Sequence, residues 1–212
     1  MFRQLLSVVI PCYNEEEVLD WFYKEITEVL ANIDYDIELI FIDDGSKDKT
    51  LSIIKRLSSR DERVSYLSFS RNFGKEAGIY AGLLHAKGDL VVVMDADLQH
   101  PPELILKMLA YIEEGYDTVT TKRISREGEP VIKSAFSKLF YKIMQKMTEI
   151  NLEEGTQDFR MMTRKVVDAI LSLDEYNRFS KGIFSWVGFK VKYIEVENVA
   201  RAAGKTKWKF RN

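Results

Sequence analysis

The sequence predicts an α/β domain built on a doubly wound, mainly parallel sheet with flanking helices. Three observations carry this. Short apolar, β-branched runs alternate with helix-period stretches from Leu5 to Glu114, the pattern of βαβ units with right-handed crossovers. The runs are continuously apolar, as in Leu90-Val91-Val92-Val93-Met94, so they read as strands buried on both faces. Three successive strand ends then carry polar loops, at Asp43-Asp44, Arg71-Asn72 and Asp95/Asp97, and ligands bind at the carboxyl ends of strands in open α/β sheets.

In order, Leu5–Ile10 is the first strand, followed by the loop Pro11-Cys12-Tyr13-Asn14-Glu15 and a helix from about Glu16 to Ala31. Its apolar positions Val18, Leu19, Phe22, Ile26, Val29 and Leu30 fall on one face. Ile37–Ile42 is the second strand. The glycine of Asp43-Asp44-Gly45-Ser46 allows a tight turn, and Ser46 or Asp48 can cap a helix over Lys49–Ser59. Val64–Phe69 is the third strand. The following helix carries Ala77, Gly78, Ala81, Gly82 and Ala86, small residues that permit close packing on a sheet. Leu90–Met94 is the fourth strand, and Pro101-Pro102 ends it and suits a helix start. A helix over Glu103–Glu114 and a strand over Asp117–Thr121 complete the first half.

The remainder is less regular. Val131–Ile150 reads as an amphipathic helix with Lys133, Lys138, Lys142 and Lys146 mostly off the apolar stripe. Such a helix suits a membrane interface and equally a packed core face. Gly155–Met162 reads as extended, Arg164–Leu173 as a helix and Phe189–Glu197 as a strand. The tail from Arg201 to Arg211 has five basic residues and no acid. No nucleic-acid fold accompanies it, so a phosphate ligand or a membrane surface is the simpler partner.

Composition fits a soluble globular chain: 212 residues, 46% hydrophobic and 30% charged. The single cysteine, Cys12, excludes an internal disulfide and a Cys-rich zinc site; it reads as a small buried residue. No apolar run approaches the ~20 residues of a membrane span. The net charge of −2 divides unevenly. Residues 1–119 hold 12 Lys and Arg against 22 Asp and Glu, a balance of −10, and residues 120–212 hold 19 against 11, a balance of +8. One half suits metal and nucleotide, the other an anionic partner, unless the charges are simply solvated.

Asp95 and Asp97, with a nearby amide oxygen, supply hard oxygen ligands for Mg²⁺ or Mn²⁺ that bridge to phosphate. An acidic turn ending a strand would carry the same two residues. Gly-x-Gly-x-x-Gly and Walker patterns are missing from the sequence, which argues against a dinucleotide dehydrogenase or a P-loop NTPase.

Seven stretches carry a resemblance: Val9-Ile10-Pro11-Cys12-Tyr13-Asn14-Glu15, Asp43-Asp44-Gly45-Ser46, Arg71-Asn72-Phe73-Gly74-Lys75, Met94 to Pro101, Gln157-Asp158-Phe159-Arg160, Asn177-Arg178-Phe179, and Arg201 to Lys207. On these the chain resembles the family-2 inverting glycosyltransferases of GT-A fold. Within them it looks like the polyprenyl-phosphate glycosyltransferases, which include dolichol-phosphate mannose synthases.

The resemblance implies one GT-A domain over residues 1–212, with a nucleotide-binding half to residue 122 and an acceptor-side half from 123. Pro11, Tyr13 and Glu15 would line the nucleotide pocket. Asp44, with Asp43 behind it, would bind base or ribose, and Lys75 would lie near the donor. Asp95, Asp97 and Gln99 would hold Mg²⁺ or Mn²⁺ and the donor diphosphate, with Ala96 between them in the donor pocket. Asp158 would be the catalytic-site carboxylate, acting with Asp97. Arg178, Arg201, Lys205 and Lys207 would contact acceptor phosphate or donor diphosphate.

The implied reaction moves a hexose, from a UDP-glucose-type donor by preference and GDP-mannose as the alternative, to a polyprenyl phosphate such as undecaprenyl phosphate at the cytoplasmic face of a bacterial membrane. Many members continue into transmembrane helices, a segment that these 212 residues do not contain. A homo-oligomer is left open. The rival readings are transfer to a sugar hydroxyl in surface polysaccharide, a non-catalytic nucleotide-sugar-binding module, and a membrane scaffold.

Overall fold

The computed structural model describes residues 3–124, 155–173 and 180–197. The predicted amphipathic helix over 131–150, residues 125–130, Arg178 and the basic tail with Arg201, Lys205 and Lys207 lie outside the described residues.

Seven strands form one sheet in the order β3-β2-β1-β4-β6-β5-β7. They are β1 Leu5–Cys12, β2 Asp36–Asp43, β3 Val64–Ser68, β4 Leu90–Val93, β5 Thr118–Arg123, β6 Thr156–Thr163 and β7 Val191–Val196. β1 to β4 are mutually parallel, β5 and β7 are parallel, and β6 runs antiparallel to both β4 and β5. One reversed strand therefore joins two parallel blocks that point the same way. The predicted doubly wound, mainly parallel sheet is what forms, and it crosses the division at residue 122.

Among the described residues, six helices flank the sheet: α1 Leu19–Leu30, α2 Thr50–Ser58, α3 Lys75–His85, α4 Leu104–Glu113, α5 Arg164–Leu171 and α6 Ser180–Trp186. Alternation along each strand decides which face a side chain joins. Val8, Ile10, Phe41, Val92 and Met161 meet Leu19, Phe22 and Ile26 of α1, Ile54 and Leu57 of α2, and Ile105 and Met108 of α4. Their sheet neighbours Val9, Ile40, Ile42, Val93 and Met162 meet Ile79 and Leu83 of α3, Val166 and Ile170 of α5, and Phe184 of α6. Both faces are covered, which is why the strands are apolar throughout.

Close approach of α3 depends on its small residues. A Cβ on Gly82 would stand 2.2 Å from Val9 Cγ1 and 2.9 Å from Ile42 Cδ1, so only glycine fits there.

α1 begins at Leu19, later than the apolar periodicity predicts. The Glu16 backbone N–H donates to Asp48 and its carboxylate accepts from the Lys49 N–H. These bonds hold Glu16 in the loop. Asp48 also accepts from the Thr50 N–H at the start of α2, while Lys49 holds the N-cap position. Ser46 does not cap; its hydroxyl accepts from the Asn14 N–H. α6 forms over Ser180–Trp186, between the predicted helix Arg164–Leu173 and the predicted strand Phe189–Glu197. No helix among the described residues is long and apolar enough to cross a membrane.

Between α2 and β3, Asp61 pairs with Arg63 and accepts from the Tyr23 hydroxyl at 2.7 Å. The Arg63 hydrogen bond leads in holding its carboxyl down, from the ordinary 3.8 to about 2, against a burial penalty. A depressed folded-state pKa contributes stability that is complete above the unfolded value and is lost as pH falls towards about 2. Asp61 is 12% exposed and Arg63 42%, so screening trims the roughly 2 kcal/mol that such a shift would carry. Urea midpoints at about pH 5 and about pH 2.5 should differ less in Asp61→Asn than in the unmodified protein. Equal decrements would remove Asp61 from the acid response.

Candidate active site

The carboxyl ends of β1 to β4 share one edge of the sheet, and the predicted loops meet there. β4 ends at Val93, and Met94 stays tied to β1 through its N–H to the Val9 carbonyl. Asp95 follows at the rim, Ala96 is buried, and Asp97 is 7% exposed. Asp97 Oδ1 accepts from the Gln99 N–H at 3.1 Å. Leu98 between them has φ 55, a left-handed conformation that costs a branched residue energy and marks a constrained turn.

Asp158 reaches the same place from β6. Val93 pairs with Arg160 in the antiparallel ladder, so Asp158 and Asp95 each lie two residues beyond that pair. Lys75, the first residue of α3, joins them. Its Nζ donates to Asp95 Oδ2 at 2.7 Å and to Asp158 Oδ2 at 2.6 Å. Burial works against the ammonium charge, but the Asp95 and Asp158 carboxylates outweigh it and raise the Lys75 pKa. Lys75 is thus charged throughout the working pH range.

Two further contacts hold β6 in place. His100 Nε2 lies 2.8 Å from Gln157 Oε1, linking the Asp95–His100 loop to the strand. Arg160 is 2% exposed. Its Nη2 donates to the Gln157 carbonyl at 2.9 Å and its Nε to the Asp158 carbonyl at 3.3 Å. Its guanidinium lies 3.7 Å from the Phe184 ring centroid of α6. Burial lowers the Arg160 pKa to about 10, although Asp158 pulls the other way. The arginine therefore stays charged and clamps the backbone on both sides of the Asp158 Cα. Arg160 and His100 lie inside two of the stretches that carry the resemblance but receive no role from it, and Phe184 lies outside them. The further signal for Arg160 is its alternation with apolar residues in Asp158–Met162.

Asp43 and Asp44 end β2. Asp44 is 4% exposed, and its carboxylate accepts from the Phe73 and Gly74 N–H groups at 2.7 and 2.9 Å. Burial raises its pKa in spite of these two bonds. Asp44 thereby fixes the two residues that precede Lys75. Asp43 accepts from the Ser46 N–H and the Ser68 hydroxyl. Gly45 has φ +65, and a Cβ there would lie 2.4 Å from the Arg71 carbonyl carbon, so the two loops touch backbone to backbone.

Pro11, Tyr13 and Glu15 stand at the end of β1, between the β2 and β4 loops. Here the motif residues stitch the loops together. Asn14 Oδ1 accepts from the Lys47 N–H, and the Glu15 N–H donates to the Thr50 hydroxyl. The structure thus brings Pro11, Tyr13, Glu15, Asp43, Asp44, Lys75, Asp95, Ala96, Asp97, Gln99 and Asp158 to one sheet edge. Lys75, Asp95 and Asp158 touch directly.

Among the described residues no group of three or more His, Cys, Asp or Glu could hold a metal ion. Of the candidate ligands Asp95, Asp97 and Gln99, two are carboxylates, and Asp95 is also bonded to Lys75. A two-carboxylate site fits a hard divalent ion that completes its shell with water and substrate phosphate.

A seven-stranded sheet with one reversed strand beside a two-aspartate loop defines the GT-A nucleotide-sugar transferase fold. Residues 7–171 match the model of glycosyl transferase family 2, and the chain belongs to that family. It is 47% identical over 210 residues, 99% of its length, to a protein of Bacillus subtilis (strain 168) named as a glycosyltransferase, CsbB. It is 43% identical over 210 residues to the bactoprenol glucosyl transferase of Shigella phage SfV, covering 98% of this chain and 68% of that one. The chain spans 64% of the length of the Bacillus relative.

Among solved structures it is similar to the mannosyltransferase PcManGT of Pyrobaculum calidifontis in complex with GDP-Man and Mn²⁺, with TM-score 0.63 and 18% identity over 96% of this chain and 58% of that one. Glucosyl-3-phosphoglycerate synthase of Mycobacterium tuberculosis, in complex with Mn²⁺, UDP-glucose and phosphoglyceric acid, gives TM-score 0.61 and 19% identity over 95% and 73%. At these identities the likeness establishes the fold.

Proposed function

We propose that the protein transfers a hexose from a nucleoside diphosphate sugar, of the UDP-glucose type, to a polyprenyl phosphate at a membrane surface, with inversion at the anomeric carbon. The observation that carries this is the Asp95–Lys75–Asp158 cluster at the strand ends. On this reading Asp95 is the diphosphate-side carboxylate and Asp158 the acceptor-side one, and a single ammonium bonds both. The similarity to bactoprenol glucosyl transferases supports the acceptor class.

In the reaction, a phosphate oxygen of the acceptor attacks the anomeric carbon from the face opposite the leaving group. The bond from that carbon to the diphosphate oxygen breaks, and the nucleoside diphosphate leaves with the electron pair. Asp95, Asp97 and Gln99 would hold Mg²⁺ or Mn²⁺, which when bound neutralises charge on the diphosphate. Lys75 adds a fixed positive charge beside it. Pro11, Tyr13, Glu15, Ala96, Asp43 and Asp44 form the nucleotide side, Asp44 by reading base or ribose while it holds the Phe73–Gly74 turn.

Asp158 orients the acceptor side. The acceptor phosphate is already anionic at neutral pH, so Asp158 need not remove a proton. Arg178, Arg201, Lys205 and Lys207 supply cations for the two phosphate groups; an arginine can do so bidentately.

The test is incubation of the protein with undecaprenyl phosphate in detergent and UDP-glucose or GDP-mannose, with Mn²⁺ or Mg²⁺. The expected product is a lipid-linked hexose that mild acid releases, formed from UDP-glucose in preference. A sugar transferred only to a saccharide hydroxyl, and stable to mild acid, would replace the lipid acceptor. Absence of turnover with either donor, together with retained nucleotide binding, would leave a binding module.

A further inference from the structure

We propose that the Lys75 ammonium is the resident cation of the donor site. It occupies the place between Asp95 and Asp158 and so suppresses divalent-ion binding until a nucleoside diphosphate arrives. This rests on the reading above, in which Asp95 and Asp97 form the metal and diphosphate site.

The backbone creates the need for a cation. The β4–β6 register sets Asp95 and Asp158 on adjacent strand ends, where two bare carboxylates would repel. Lys75 answers both with charge-assisted hydrogen bonds of 2.7 and 2.6 Å. Its side chain is 30% exposed, and those of Asp95 and Asp158 are 33% and 23% exposed, so solvent screens the cluster only in part. The lysine is also held from behind. Asp44 binds the Phe73 and Gly74 N–H groups, and the Gly74 carbonyl accepts the first bonds of α3, from Ala77 and Gly78.

A divalent ion on Asp95 would share that carboxylate with Lys75 and feel a full positive charge beside it. It could not form a three-carboxylate site with Asp97 and Asp158, because the ammonium stands between Asp158 and Asp95. A nucleoside diphosphate changes the balance, since its phosphate oxygens provide anions for both cations at once. Metal and nucleotide should therefore bind with positive coupling, and the coupling is reciprocal. The lysine keeps the carboxylates in place without a metal and makes the ion's affinity conditional on the donor.

The test is Mn²⁺ titration followed by the electron paramagnetic resonance of free aqueous Mn²⁺. It uses the 212-residue protein, its Lys75→Met, Lys75→Gln, Lys75→Arg and Asp97→Ala variants, and UDP or GDP as added nucleotide. Unmodified protein should bind Mn²⁺ weakly alone and about tenfold or more tightly with one nucleotide. Lys75→Met and Lys75→Gln should bind Mn²⁺ alone about tenfold more tightly than the parent, with a smaller nucleotide effect. Lys75→Arg should behave as the parent, and Asp97→Ala should not bind.

If either neutral variant melts like the parent yet binds Mn²⁺ alone no more tightly, while the parent binds it with nucleotide, the proposal falls and the donor-site reading stands. Tighter Mn²⁺ binding by Lys75→Arg would also overturn it, since the charge would then not be the cause. If the parent binds no Mn²⁺ with UDP or with GDP, the metal-dependent donor site itself is wrong.

Discussion

Asp97→Ala is expected to lower sugar transfer by roughly 10²–10³-fold or more, the size of losing a principal electrostatic contact to the developing charge. Asp97 is 7% exposed and fixed by its Oδ1 bond from the Gln99 N–H, so its carboxylate is held ready at the strand end. Alanine also removes that acceptor and costs roughly 1 kcal/mol of loop stability. Asp97→Asn separates the two effects. An asparagine oxygen can still accept from the Gln99 N–H, so melting should match the parent, while the lost charge should still remove most of the turnover and the Mn²⁺-dependent binding of nucleotide by calorimetry. Full turnover by the asparagine variant would take Asp97 out of the metal site.

Asp158→Asn should lower turnover by about 10²-fold while nucleotide affinity stays within about threefold of the parent, because in the proposed reaction the lost contact acts on the acceptor side of the transition state. The shape of the residue is kept, and Arg160 still holds its backbone through the carbonyls of Gln157 and Asp158. What changes is the charge beside Lys75. Residual turnover is expected, since a phosphate acceptor needs no base to ionise it. A fall beyond about 10⁴-fold with intact nucleotide binding would make Asp158 an essential general base and favour a sugar hydroxyl as acceptor. Single-turnover transfer assays beside calorimetry distinguish these results.

Much of this site is legible in the linear chain because its pieces are local. Asp95 and Asp97 follow four valine-rich residues that are all buried, and a strand buried on both faces announces where its polar end must lie. The β2 turn is marked by Asp43-Asp44-Gly45. Asn14, Ser46, Asp48 and Thr50 lie in or beside the quoted stretches, and their side chains hold neighbouring loop backbones. Glu16 looks helical by position, but its bonds to Asp48 and Lys49 delay α1. Arg160 alternates with apolar residues, but its stacking on Phe184 appears only in the fold, because α6 is too short and too far along the chain to announce that contact.

Residue order alone therefore predicts the strand–helix alternation, the two-faced core and the polar loop at each strand end, since burial patterns repeat over a few residues. Alternation says which face a side chain joins but not which strand lies beside it. The insertion of β6 between β4 and β5, in reverse direction, came from folding. That register carries Asp158 to Asp95, and the two are joined by a lysine 83 positions from Asp158 in the chain. Strand partners and register are set by long-range packing of both core faces at once, and for that reason the Lys75 bridge exists only in three dimensions.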